Sequence, residues 1–274
     1  ALDKPRFDFA VRVQGALVSD IWDATRSLWL RQNAFTELRQ RKLRQAMQTW
    51  KSAREEHVRI SLNAGQAPEQ PAPNTLSAHF ARAALLLRDN LRHRRRIERA
   101  YLKAISLASQ EIIIANAYFL PGGRLRKALL AAAKRGVKVK LLLQGRYEYF
   151  MQYHAARPVY EVLLAADIEI HEYATSFLHA KVAVIDAYSG KAWATVGSSN
   201  LDPLSLLLAR EANTVVLDGA FARDLRERLV TAMARDGRKV DVQEFTNRPW
   251  HQRLLDRVAF GLMRLALSVT GRRY

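Results

Sequence analysis

The sequence predicts an α/β fold, a mixed β-sheet flanked by helices. Three observations predict it. From Glu111 onward, short β-branched runs alternate with amphipathic segments, at spacings that suit a sheet with parallel members joined by helices. The chain has 274 residues, 49% of them hydrophobic, enough for a large core. Two apolar runs, one following His179 and one ending at Val196, read as buried strands that meet small polar residues at their ends.

Taken in order, residues 8–13 (Asp-Phe-Ala-Val-Arg-Val) alternate as a strand does, and Gln14-Gly15 turns the chain. Leu17, Ile21, Ala24, Leu28 and Leu30 then mark an amphipathic helix carrying Trp22 and Trp29. Residues 37–60 read as a basic helix, and residues 63–74, polar and rich in Pro and Gly, as an exposed linker. Residues 75–108 read as helical, with Arg92, Arg94, Arg95 and Arg96 forming a solvated or lipid-facing cluster. Next come a strand at 112–115, a loop at Pro121-Gly122-Gly123 and a helix over 124–135 stopped by Gly136. A strand at 137–143, a helix at 159–166 and a strand at 168–171 follow. Strands at 180–186, 192–196 and 212–217 precede a helix over 221–236. In the tail, Leu255, Val258, Leu262, Leu265 and Val269 recur at spacings of three and four, and Arg253, Arg257 and Arg264 fall on one narrow stripe. Too short and too charged to span a bilayer, this helix suits a membrane interface, with Trp250 near the head groups. The other reading docks it on the domain core.

The formal charge is +18, which favours polyanions: nucleic acid or an anionic membrane surface. Eight Lys or Arg and no acid lie between Glu111 and Glu148, a local basic field that includes Arg124, Lys134, Lys138 and Arg146. With no cysteine, disulfides and thiolate metal sites are excluded. The chain starts Ala1-Leu2-Asp3, without Met, a signal segment or an 18-residue uncharged run, which predicts that the natural chain begins earlier.

The chemistry concentrates between residues 179 and 200. His179-Ala-Lys181-Val-Ala-Val-Ile-Asp186 reads H-x-K-x4-D, and Gly197-Ser198-Ser199-Asn200 follows the next strand. Residues i and i+2 of a strand share a face, so His179 and Lys181 can reach one small ligand. A neutral His can attack phosphorus or pass a proton, Lys adds fixed positive charge, and Ser198 and Asn200 add neutral donors. These residue types point to phosphodiester chemistry, without the paired carboxylates that Mg2+ sites use. The plainer reading has His179 capping a strand and Lys181 in solvent.

The stretch LHAKVAVIDAYSGKAWATVGSSNLDPLSLLLAREAN, residues 178–213, resembles the phospholipase D superfamily and, within it, bacterial cardiolipin synthases of the B type. Residues 115–143 and 160–173 support the likeness, which is strong over about residues 97 to 235. Residues 8–15, D-x-A-V-R-V-x-G, resemble the element that follows the first motif in two-motif members. The resemblance implies residues 1–36 as the end of a first phospholipase D-like lobe, 37–96 as a helical linker, 97–236 as the catalytic lobe and 237–274 as a membrane-associated tail.

In that family two H-x-K-x4-D motifs meet across a pseudo-two-fold. One His forms a phosphohistidine, and the other serves as general acid and then base. The likeness gives His179 the second role, Lys181, Asn200 and Ser198 the phosphoryl oxygens, Asp186 a supporting place, and Glu211 the acid that orients the motif His. It implies no cofactor and no metal. The implied partners are phosphatidylglycerol and a second phospholipid, a membrane surface, and a missing motif half or a second copy. The expected location is peripheral, on the cytoplasmic face of the cell membrane. His57, His79, His93, His154, His171 and His251 all lack the motif, and Ala209-Arg210 departs from an Asn-bearing run expected before Glu211. Two other readings stay open: a dimeric nuclease or phosphodiesterase of the same superfamily, and a non-catalytic module that binds anionic membranes or nucleic acid.

Overall fold

A computed structural model describes residues 4–40, 42, 44–45, 47–52, 81–88, 93–147, 150–202 and 209–269. The chain forms two compact units, residues 12–80 and residues 1–11 with 81–274. In the first, Gly15 adopts φ +84°, a turn that only glycine makes freely, and helix α1 (Leu17–Arg39) covers the segment expected to be helical, although its buried residues are Ser27 and Ala34 and Leu28 of the expected apolar face is exposed.

The second unit holds the sheet. Its elements in order are β1 (Arg82–Arg88), α2 (Arg96–Leu107), β2 (Glu111–Asn116), α3 (Gly123–Lys134), β3 (Lys138–Gln144) and α4 (Phe150–Leu164). They continue with β4 (Glu169–Tyr173), β5 (Lys181–Ile185), β6 (Trp193–Gly197), β7 (Glu211–Leu217), α5 (Gly219–Asp236), β8 (Gly237–Lys239), α6 (Val242–Thr246) and α7 (Trp250–Val269). The strand order is β1-β7-β6-β5-β2-β3-β4-β8. Only the β2–β3 and β3–β4 pairs are parallel, so the sheet is mixed.

The period of two divides the core. Ile112 and Ile114 of β2, with Ala183 and Ile185 of β5, face a cluster completed by Ile97, Tyr101 and Ile105 of α2 and by Leu125 and Leu129 of α3. Ile113 and Ala115, with Val182 and Val184, face the opposite cluster, covered by Ala222, Leu225, Leu229 and Met233 of α5. Helices therefore shield both faces, and the central strands read as continuous apolar runs for that reason.

Several expectations need correction. Residues 8–13 form no strand; Phe7 makes an isolated parallel bridge to Leu178 instead. Within 75–108, expected to be helical throughout, residues 82–88 form β1, paired antiparallel with β7. Ala83–Leu87 is an unbroken apolar run, and the open edge of β7 gives its backbone partners that a helix would not need. The helix expected at 159–166 starts earlier, at Phe150. In the tail, β8 extends the sheet at β4, and Phe260 and Met263 of α7 pack against the core, as the second reading of that helix has it. The linker expected at 63–74 lies outside the described residues.

Candidate active site

The registers bring one set of strand ends together. Asn116 at the end of β2 lies opposite Lys181 at the start of β5. Gly197 at the end of β6 lies opposite Asn213, and Glu211 at the start of β7 lies opposite Arg88 at the end of β1. His179, Lys181, Ser198, Asn200 and Glu211 thus collect at a single end of the sheet.

His179 is held from two directions. Its backbone N–H donates to the Phe7 carbonyl at 2.8 Å, while the Phe7 N–H donates to the Phe177 carbonyl at 2.9 Å. Phe7 stacks on Tyr173 with ring centroids 5.1 Å apart and meets Phe9 edge-on, which anchors the segment. That anchoring sets Asp8 beside His179, whose Nδ1 lies 2.7 Å from Asp8 Oδ2. A carboxylate on Nδ1 favours the tautomer that carries its proton there, and leaves Nε2 as the nitrogen that can meet a substrate. The imidazole is accessible, 43% exposed.

Lys181 is 5% exposed, so it is not a solvated lysine; its Nζ donates to the His179 carbonyl at 2.6 Å. Gly197 has no room for a side chain: a Cβ there would lie 2.6 Å from the Ala212 carbonyl oxygen and would strike Asn213. This close approach lets the Ser198 hydroxyl donate to the Glu211 carboxylate while accepting from the Ala212 N–H at 3.0 Å. Two amides then shape the loop. Asn213 Oδ1 accepts from the Ser199 N–H at 3.4 Å and Asn116 Oδ1 from the Leu201 N–H at 3.1 Å. Asn200 sits half-buried in that loop.

Burial pushes the Glu211 carboxyl above its usual range, against the opposing pull of the Ser198 hydroxyl and the positive charges of Arg88 and Lys181. Those charges therefore act within one electrostatic neighbourhood, which Asp202 also enters with its negative charge. The resemblance gives Glu211 the part of orienting the motif His; in this structure the carboxylate beside the His179 ring is that of Asp8, and the Glu211 carboxylate accepts from Ser198. Sequence reasoning missed Asp8, although it lies in the very stretch likened to a first-lobe element.

Asp186 occupies the opposite end of β5, five residues and about 16 Å along the strand from Lys181. Its carboxylate accepts from the Ser109 N–H and hydroxyl, the Gln110 N–H and the Glu111 N–H, at 2.8 to 3.0 Å. Burial alone would raise its pKa; these donors outweigh burial and hold it below the ordinary value. Among the described residues no group of His, Asp and Glu is arranged to hold a metal ion, and no helix is long and apolar enough to cross a membrane.

A family model described as the cardiolipin synthase, phospholipase D-like domain matches residues 101–233. These residues belong to that family. Over the cardiolipin synthase match, the chain is 38% identical across 264 residues to cardiolipin synthase B of Salmonella typhi, and 42% identical across 191 residues to cardiolipin synthase B of Escherichia coli K12. The alignments cover 96% and 70% of this chain but 56% and 45% of the relatives, so the chain spans about half the length of the curated proteins it matches. The phospholipase D-like fold also resembles the solved phosphatidylserine synthase of Haemophilus influenzae Rd KW20, with TM-score 0.54 and 12% identity. That match covers 81% of this chain and 54% of the other.

Proposed function

We propose that this chain supplies one of two half-sites of a phosphatidyltransferase that joins phosphatidylglycerol to a second phospholipid, working peripherally at the cytoplasmic face of the cell membrane. The observation that carries the reading is the His179–Asp8 pair, which aims Nε2 outward beside buried Lys181. The likeness to proteins named cardiolipin synthase B supplies the substrate class.

In this reading the imidazole of the other motif attacks phosphorus, forming a P–N bond while the P–O bond to the leaving alcohol breaks. Protonated His179 gives its Nε2 proton to that alcohol. Neutral His179 then takes the proton of an acceptor hydroxyl, whose oxygen attacks phosphorus and breaks the P–N bond. Lys181, Ser198 and Asn200 stabilise the phosphoryl oxygens. Asp8 positions His179 and becomes more effective as the imidazolium forms. Because Asp8 already serves His179, Glu211 is available for the imidazole of the other half-site, the reciprocal contact that a pseudo-two-fold demands. Asp186 fixes the strand that carries the motif.

The test uses the chain in its natural full-length context with phosphatidylglycerol vesicles, following cardiolipin formation. His179→Ala should lower turnover by about 10²- to 10⁴-fold with the fold unchanged by circular dichroism. Retained turnover would remove His179 from the mechanism, and release of phosphatidic acid without cardiolipin would replace transfer by hydrolysis.

A further inference from the structure

Helix α7 has two apolar faces, and the fold uses only one. Asp256 is buried, at 3% exposed, and its carboxylate is bonded to His154 Nδ1 at 2.7 Å and to Arg248 Nη1 at 2.8 Å. Ala259 is buried nearby, and Phe260 and Met263 pack on the core. These contacts fix the rotation of the helix. At about 100° per residue, Leu254, Val258, Leu262 and Leu265 then share a different face, covering roughly a quarter of the circumference. That face stands open: Val258 is 50%, Leu262 52% and Leu265 61% exposed, and Trp250 at the start of the helix is 75% exposed.

We propose that this outward face of α7 is a docking surface for an anionic lipid interface. The charge pattern selects that occupant. The single acid of the helix, Asp256, is the buried clamp, so the charges that α7 presents to solvent are arginines. Arg253, Arg257 and Arg264 form a stripe beside the apolar face; Arg253 pairs with Glu161 of α4, while the guanidinium groups of Arg257 and Arg264 can reach phosphates as the leucines enter the acyl boundary.

The direction of the helix connects this surface to the chemistry. Asp256 meets His154, and Arg253 lies 3.6 Å from Glu161, so α7 runs antiparallel to α4. The N-terminus of α4 follows the end of β3, the end of the sheet that carries Lys181 and Ser198. Leu262 and Leu265 therefore lie toward the site end of the molecule, where Phe150 of α4 is also exposed. A bilayer that receives α7 lies near the phosphoryl-binding residues. The inference deepens the membrane-substrate reading above and rests on it for its purpose, but its test reads binding rather than turnover.

Sedimentation of the full chain with phosphatidylglycerol vesicles and with phosphatidylcholine vesicles decides the matter. Partitioning should favour the anionic vesicles by about tenfold or more. Val258→Glu with Leu262→Glu, both at open positions, should reduce partitioning by about tenfold or more while leaving the thermal transition in place. Arg257→Gln with Arg264→Gln should weaken the preference for phosphatidylglycerol by several-fold, and an unchanged preference would place the lipid-facing charge elsewhere. His179→Ala should bind as the parent does, so a failed catalytic reading and a failed docking surface give different results. Unchanged partitioning of the Val258/Leu262 variant overturns the proposal. It also falls if that variant turns a dimer into a monomer by sedimentation velocity without losing vesicles, because the face would then seat a second copy.

Discussion

Two carboxylates show how differently single acids serve this lobe. Asp8 faces a solvent-accessible imidazole and occupies one of its two nitrogens; Asp186 faces four donors and holds the start of β2 against the end of β5. Asp186→Asn replaces one acceptor oxygen by an NH2 group opposite N–H donors, and should cost about 1–3 kcal/mol of stability at pH 7. The sign of its pH dependence follows from the direction of the shift. The folded pKa lies below the unfolded value of about 3.9, so the stabilisation is complete above the unfolded pKa and is lost as pH falls through the folded one. The stability curves of parent and variant should therefore converge below about pH 4. Equal melting temperatures at pH 7 would show that the four hydrogen bonds contribute nothing.

At the scale of elements, the strand ends do the organising. Gly197 allows β6 and β7 to approach so closely that Ser198 reaches Glu211. Gly197→Ala should destabilise the unit by about 1–3 kcal/mol through overpacking against Asn213 and Ala212. A thermal transition unchanged within error would mean that the loop relaxes without loss. His179, Lys181 and Gly197–Asn200 were legible in the sequence because they flank β-branched runs whose period of two fixes their direction. Asn116 and Asn213 were not, because a side-chain amide that caps a loop leaves no periodic trace. Strand β1 was hidden for another reason: Arg-Ala-Ala-Leu-Leu-Leu-Arg suits a helix or a strand equally by composition, and only the open edge of β7 decides. The tail was read correctly as amphipathic, but one stripe of apolar residues could not reveal that the clamp at Asp256 had already committed a second face inward.

For the whole molecule, a net charge of +18 makes some affinity for any polyanion unavoidable, so binding to DNA is weak evidence of a nuclease. Counterion release provides the discrimination. Association with duplex DNA should fall by about 10³-fold or more between 50 and 200 mM salt, whereas vesicle association, supported by buried apolar area, should fall less. Cleavage of DNA would favour the nuclease reading. Asp8 and His179 are 171 positions apart in the sequence, yet the tautomer of the imidazole depends on their meeting. Closing so long a loop comes late and slowly compared with forming local helices. During refolding the lobe will therefore regain its secondary structure before it regains a correctly oriented histidine, and the His179 ring becomes a clock for the last long-range closure of the chain.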